Sequence, residues 1–172
     1  MSKISQGIDF INVWTAKLVM WLIIPLIFAL VYEVILRYWF NRPTTWSQDL
    51  TWMIYGTHYL MGAGYTLYIK GHIAIDVFYR RFSPLWKAII HVVCYLILFF
   101  PIMGAFVYKG VVFAYASWAI NEVSQYSPWR PILFPFKSIM VVGFALLFLQ
   151  GVSELIRLIT VMVRKGEQVS HG

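Results

Sequence analysis

Four long runs of apolar residues constrain this chain more than any other feature of its sequence. They extend over residues 18–36, 50–67, 88–108 and 135–156. A helix needs about 20 mostly apolar residues to cross a bilayer, and each run is close to that length. Hydrophobic residues make up 60% of the chain and charged residues 12%, whereas soluble domains have roughly 45–50% and about 25%. The sequence therefore predicts an all-α integral membrane protein without a separate soluble domain.

Each run, with a few flanking residues, gives one predicted transmembrane helix. Before the first, residues 1–17 carry apolar side chains at three- and four-residue steps, which indicates an amphipathic helix at the membrane interface. After the last, residues 164–172 form a polar tail that we expect to fray. The apolar segment 111–120 either extends the third helix or lies at the interface. The chain, 1–172, is thus predicted to be one membrane domain with spans at about 18–36, 48–68, 86–108 and 134–158.

Lysine and arginine are distributed unevenly between the two ends of the predicted helices. If the N-terminus is cytoplasmic, nine of them flank the inner helix ends and five flank the outer ends. Cytoplasmic loops of membrane proteins carry an excess of Lys and Arg, so we expect both termini in the cytoplasm. The same bias accounts for the net charge of +7 without a nucleic acid as partner. Membrane lipids are the expected neighbours of the apolar faces.

The connection between the first two predicted helices concentrates polar and aromatic residues. Thr45 and Gln48 have the spacing of a capping box, which predicts that the second helix begins at Thr45. Arg42, Trp46 and Asp49 allow two interpretations. They either serve only this turn and its helix cap, or present a polar and aromatic surface to a partner outside the membrane.

Three ionisable residues within the apolar runs suggest other functions. Glu33 would be the coupling carboxylate of a small self-contained exporter, but its place near the end of its run favours an ion pair with Arg37, four residues on. His58 and His91 would ligate iron in a four-helix haem or quinone anchor. Their expected depths differ by roughly 8 Å at 1.5 Å per residue. We therefore prefer an interhelical hydrogen bond for His58.

The predicted inner loop contains His72 and Asp76, which are four residues apart and suited to pair on a short helix. A metal site would need more ligands than this loop supplies. The chain has no phosphate-binding loop with its lysine, no nucleophile elbow and no HExxH zinc motif. We predict that the chain is not an enzyme and that it has no catalytic residue, metal or cofactor of its own.

Three motifs occur in an order that points to one family. RYWFNRPTTWSQD at 37–49 precedes the glycine-containing second helix, KGHIAIDVFYRR follows at 70–81, and Glu122-Val123-Ser124 stands before the last helix. Over about residues 18–160 the chain resembles the small membrane subunit, DctQ-like, of tripartite ATP-independent periplasmic (TRAP) transporters. It departs from that family's pattern at Asp49, where Glu is frequent, and at Ala74, where a basic residue is frequent.

The resemblance implies a scaffold that lacks a transport site of its own. In that family a large membrane subunit carries the substrate and sodium sites, and a periplasmic binding protein delivers the substrate. The small subunit braces the large one in the bacterial inner membrane during cation-coupled uptake of an organic acid, such as a 2-oxo or hydroxy acid. Sodium would thus be bound by the partner subunit. The residues implied in docking or structure are Arg37, Arg42, Trp46, Asp49, His72, Asp76, Glu122 and Ser124.

Overall fold

The computed structural model of the chain describes residues 3–69 and 84–170, and this part is helical almost throughout. A 3₁₀ turn, Met20–Leu22, and a π-helical turn, Tyr95–Phe99, join consecutive helices into longer rods. The only β pairing in the described part is one isolated bridge between Val123 and Ile132. The predicted all-helical class is therefore confirmed. The helices are α1 (Lys3–Val19), α2 (Ile23–Tyr38), α3 (Ser47–Tyr68), α4 (Pro84–Cys94), α5 (Phe100–Ala119) and α6 (Phe134–Ser170).

Three helical rods in the described part are long and apolar enough to cross a membrane, and they are Lys3–Tyr38, Ile89–Ala119 and Phe134–Thr160. The helix α3 has 22 residues but is not among them. It is the predicted second span, and its Tyr, Thr, Gly and His residues make it less apolar than the others. The fourth span and the cytoplasmic position of both termini therefore stay predictions.

Two further segments are helical. The sequence left the conformation of the first open and predicted a frayed tail for the second. The segment 111–120 is part of α5 up to Ala119, so it extends the third predicted helix. At the C-terminus α6 continues to Ser170, through most of the tail that was expected to fray.

The helix α6 lies at the centre of the packing, against α3, α5 and α1, and α3 also packs on α1 and α2. The few buried apolar side chains are small or medium in size, such as Ala29 and Leu146. The largest side chains that are fully buried are polar, Gln150 and Asn12, whereas large apolar side chains are exposed along all the long helices. This is the arrangement expected in lipid, where apolar surface does not drive helices together and polar contacts and close packing do.

The glycines of α3 show where a close approach is required. A Cβ at Gly64 would collide with the side chain of Asn12 on α1, so only glycine allows α1 to lie there. A Cβ at Gly62, half a turn away, would meet nothing within 4 Å. Close packing against another helix therefore requires glycine at Gly64 and not at Gly62.

The boundary between α1 and α2 is a helix break that His58 stabilises. The Ile23 N–H donates to the carbonyl of Met20, as in a 3₁₀ turn, so the Val19 carbonyl lacks its usual helical donor. His58 Nδ1 on α3 lies 3.0 Å from that carbonyl oxygen and donates to it. Pro25, two residues after Ile23, has no backbone N–H. This part of the helix therefore lacks a second backbone hydrogen-bond donor. The predicted interhelical hydrogen bond of His58 is confirmed.

Candidate functional site: polar clusters at the two ends of the helices

The connection between α2 and α3 is held by one carboxylate. Arg37 pairs with Glu33 one turn earlier on α2, with 2.5 Å between Nη2 and Oε1. The other oxygen of Glu33 accepts hydrogen bonds from the backbone N–H of Thr44, at 3.0 Å, and from its hydroxyl. Glu33 therefore fastens the turn to the end of α2. The ion pair of Glu33 with Arg37 is the structural role that the sequence favoured over that of an exporter's coupling carboxylate.

The expected capping box does not form. The helix α3 begins at Ser47, with Trp46 at the N-cap and no side-chain cap there. The Ser47 N–H instead donates to the Thr44 hydroxyl oxygen, at 3.3 Å. The prediction was wrong because Glu33 holds the hydroxyl of Thr44 within reach of the first turn of the helix. The Ser47 N–H therefore bonds to Thr44 and not to Thr45.

Two residues of the predicted docking surface differ in their exposure. The ring of Trp46 is half-buried and stacks on Tyr32 of α2, with 6.0 Å between ring centroids. The side chain of Arg42 is exposed and makes no ion pair in the part of the chain that the structure describes. Trp46 therefore serves the helix packing, and Arg42 is available to a partner.

Asp49 brings two distant sequence motifs together. Its carboxylate is buried in the first turn of α3 and accepts hydrogen bonds from the hydroxyls of Ser124, at 2.8 Å, and Ser127. Ser124 is fully buried and also accepts from the N–H of Tyr126, at 3.3 Å. The carboxylate of Asp49 thus attaches the connection between α5 and α6 to α3. Its negative charge is also favourable near the N-terminus of a helix.

The same connection is attached to α6 by an ion pair. Glu122 accepts from Lys137 Nζ at 2.5 Å, and the buried ammonium lies 3.6 Å from the centroid of the Phe113 ring. The hydrogen bond from Lys137 holds the pKa of the Glu122 carboxyl below its ordinary value of 4.5. Asp49, Glu122, Ser124, Ser127 and Lys137 form one group, which we call the loop-end cluster.

The opposite end of the helices holds a larger polar group, built on α1 and α6. Arg157 donates to Glu154 Oε1, at 2.7 Å, and also pairs with the carboxylate of Asp9. Its guanidinium lies 5.2 Å from the centroid of the Tyr68 ring at the end of α3. One arginine therefore joins three helices and two buried carboxylates.

Hydrogen bonds made by neutral side chains continue this group along the interface. Gln150 donates to Asp9, at 2.9 Å, and accepts from Asn12, also at 2.9 Å. Ser153 donates to Asp9 at 3.0 Å and lies 2.5 Å from the hydroxyl of Ser5. The seven residues that form this terminal-end cluster are Ser5, Asp9, Asn12, Gln150, Ser153, Glu154 and Arg157.

Sequence reasoning missed the terminal-end cluster. It interpreted the N-terminal segment as an amphipathic helix at the membrane interface and did not connect it to the last helix. Instead the polar face of α1, with Ser5, Asp9 and Asn12 one or two turns apart, is buried, and Ile4, Ile11 and Trp14 are exposed. The sequence does contain a pattern that indicates this contact. The polar residues of α1 recur at helical spacing, and α6 has a matching polar stripe at 150, 153, 154 and 157.

The remaining predicted residues that the structure describes do not assemble a reactive site. His72 and Asp76 lie outside the described residues. His58 bonds to α1, and His91 lies on an exposed face of α4, so the two histidines do not converge as a haem anchor would require. In the described residues no group of three His, Cys, Asp or Glu is placed to hold a metal ion. The clusters position and fasten helices.

The long helices have exposed apolar exteriors and are joined by buried polar groups at both ends, which defines the chain as an integral membrane protein. The sequence matches the family described as "Tripartite ATP-independent periplasmic transporters, DctQ component" over residues 26–161. That match covers most of the chain, which therefore belongs to the DctQ family. It is the small subunit of a TRAP transporter, acts with a large DctM subunit and a periplasmic binding protein, and is not an enzyme. No curated protein matches it closely.

Proposed function

We propose that this subunit is a rigid brace for the large subunit during cation-coupled uptake of an organic acid delivered by the binding protein. One observation carries the proposal. Each acidic side chain that the structure describes, in Asp9, Glu33, Asp49, Glu122 and Glu154, binds a basic residue or hydroxyl of this same chain. Carboxylates already engaged in fastening helices are poorly suited to bind and release a coupling ion or proton. The sodium or other coupling ion then belongs to the partner subunit.

The proposed topology has four spans in the bacterial inner membrane, with both termini cytoplasmic. The length of α3 supports this arrangement, because 22 residues extend about 33 Å at 1.5 Å per residue, enough for the hydrocarbon core. The loop-end cluster then lies at the periplasmic face and the terminal-end cluster at the cytoplasmic face. Reporter fusions test this topology. Alkaline phosphatase should be active after residue 42 and inactive after residue 172, and activity at both positions would contradict it.

The proposed docking residues have two roles at the loop end. Arg42 is exposed and contacts the partner directly. Arg37, Trp46, Asp49, Glu122 and Ser124 act indirectly, because they fix the two connections that would face the partner. His72 and Asp76 are proposed to organise the connection between α3 and α4.

Reconstitution tests the brace directly. Liposomes would contain the large subunit, this subunit or both, together with sodium and the binding protein loaded with a 2-oxo or hydroxy acid. We expect uptake only when both membrane subunits are present and none from this subunit alone. Uptake by this subunit without the large subunit would contradict a purely structural role.

A further inference from the structure

A cleft runs between α1 and α3 beside the break that separates α1 from α2. Its volume is about 280 Å³, and its α1 wall extends from Val13 to Met20, about two helical turns. Its α3 wall extends from His58 to Thr66. A Cβ at Gly62 would meet nothing of the described chain within 4 Å, so the middle of this wall is open. Small residues on such a face let a further helix approach closely.

The packing of α1 on α3 fixes the level of Lys17, which lines this cleft. Val19 is level with His58, which bonds to its carbonyl, and Asn12 is level with Gly64, where it occupies the place of a Cβ. Lys17 directly precedes the apolar run 18–36, but its level is set by the residues beside which it packs. It lies between the two contacts and is therefore near the middle of the 22 residues of α3.

Lys17 is distant from both ends of α3. Ser47, the first residue of α3, donates to the carbonyl of Ala29 at 3.3 Å. Ala29 is twelve residues from Lys17, about 18 Å at 1.5 Å per residue. At the other end, the guanidinium that pairs with Asp9 lies against the ring of Tyr68, the last residue of α3. Asp9 is eight residues from Lys17, about 12 Å. In the proposed four-span topology Lys17 is thus within the hydrocarbon, whereas lysines that snorkel to the surface lie near helix ends.

The cationic side chain of Lys17 has no counter-charge in the described chain. It is exposed and makes no ion pair there. The described acids are each bound to other groups of the chain, and they are Asp9, Glu33, Asp49, Glu122 and Glu154. A charged side chain within a membrane is costly and is almost always paired. The counter-charge of Lys17 therefore comes from outside the described chain.

Lys109 on α5 is an exposed lysine at a similar level but in a different setting. Its neighbour Gly110 packs on Val141, close to where α6 meets the middle of α3. The Lys109 ammonium lies 5.8 Å from the centroid of the Tyr108 ring, a contact that offsets part of the cost of its charge. No ring contact of this kind is present at Lys17 in the described residues. Lys17 is therefore the lysine that requires a carboxylate.

We propose that one helix of the large subunit lies in the cleft between α1 and α3 and pairs an aspartate or glutamate with Lys17. The large subunit is the membrane partner of this family, so its helices can supply a carboxylate at mid-membrane level. A lipid headgroup stays at the membrane surface and does not reach Lys17. The inference rests on the proposed brace and on the proposed span of α3.

Binding of the full chain to the purified large subunit in nanodiscs tests the ion pair. Lys17→Gln should raise Kd about thirtyfold, the effect of removing one member of a desolvated charge pair. Lys17→Arg keeps the charge and should retain most of the affinity. Lys109→Gln is the matched control, because it removes an exposed lysine at a similar level on α5, and it should leave Kd unchanged. Equal changes in Lys17→Gln and Lys109→Gln would overturn the proposal.

A second pair of variants tests the cleft itself. A Cβ at Gly62 or at Gly7 would meet nothing of the described chain within 4 Å, so Gly62→Leu and Gly7→Leu should both keep the helix content measured by circular dichroism. Gly62→Leu fills the cleft and should weaken binding of the large subunit. Gly7→Leu is the control, because Gly7 lies on α1 beyond Val13, where the cleft ends. Unchanged binding by Gly62→Leu would overturn the proposal.

Cross-linking identifies the occupant. A photo-reactive phenylalanine in place of Ala16, which lines the cleft, should label a helix of the large subunit. Labelling of a lipid, of a second copy of this chain, or of its own connection 70–83 with Asp76 as the counter-charge would overturn the proposal.

The same measurements separate this docking site from the brace. If Lys17→Gln binds the large subunit as tightly as the wild type while uptake still requires both membrane subunits, the docking site is wrong and the brace stands. If the wild type does not bind the large subunit, both are wrong.

Discussion

Arg157 is the residue on which the terminal end depends most. It is the partner of two carboxylates, Asp9 and Glu154, whose side chains are only 10% and 8% exposed. Removing one member of a buried charge group leaves the others uncompensated, at a cost of about 3–5 kcal/mol. A lysine supplies the charge but not the fork that reaches two acids at once.

We therefore expect Arg157→Ala to lower the free energy of unfolding by about 3–5 kcal/mol. Arg157→Lys should recover part of this loss. Chemical unfolding in detergent, followed by circular dichroism, measures both. Arg42→Ala is the control and should change stability by less than about 0.5 kcal/mol, because Arg42 is exposed and unpaired in the described chain. Equal losses from Arg157→Ala and Arg42→Ala would contradict the role given to Arg157.

Glu122 should make stability at the loop end depend on pH. The hydrogen bond from Lys137 lowers the pKa of Glu122 below 4.5 in the folded chain. Its contribution is therefore present above pH 4.5 and is lost as the pH falls through the lowered pKa. We expect the melting temperatures of the wild type and Glu122→Gln to differ above pH 5 and to converge towards pH 3. A difference that stays constant over this range would exclude the ion pair as its source.

At the scale of helices, the sequence predicted where apolar segments occur but not which faces they pair. Each predicted span lies within one helix or one helical rod, because about 20 apolar residues leave few other conformations in a membrane. The buried face of α1 was not predictable in the same way. Its polar stripe can be identified as a buried face only when α6 is placed beside it. The residues that form these contacts are 138 to 148 positions apart in sequence.

The candidate site was predictable to a similar extent. Asp49 and Ser124 were each singled out by a motif, but their hydrogen bond spans 75 residues and neither motif indicates the other. The Glu33 and Arg37 pair was predictable because it is local to one helix. The failed cap at Thr45 shows the limit of local patterns, because the distant Glu33 positions the neighbouring Thr44 instead.

The closeness of α1 to α3 gives a matched test with two glycines. Gly64→Ala places a methyl group against the Asn12 side chain, and such overpacking costs about 1–3 kcal/mol. Gly62→Ala has open space and should be neutral or slightly stabilising, because alanine favours a helix by about 1 kcal/mol over glycine. Thermal unfolding of the two variants in detergent measures the difference. Equal stability would mean that α1 does not pack on α3 as described.

At the scale of the whole transporter, the proposed brace would act through the stiffness of its connections. Asp49→Ala removes a buried carboxylate that binds two hydroxyls, at about 1.5–3 kcal/mol for each hydrogen bond to a charged group. We expect it to reduce uptake by the reconstituted transporter and to leave substrate binding by the periplasmic protein unchanged. The exposed neighbour Gln48 provides the control, because Gln48→Ala removes no such bond. Unchanged uptake in Asp49→Ala would separate the loop-end cluster from transport.

The contact between α1 and α6 also constrains the order of events during synthesis. Asn12 leaves the ribosome 138 residues before its partner Gln150, a delay of roughly 7 to 28 seconds at 5–20 residues per second. During that interval the polar stripe of α1 has no helix to receive it, so the nascent chain must keep this segment in contact with water or with the insertion machinery. Truncation before α6 should leave an N-terminal segment that proteases digest readily, whereas the completed chain protects it.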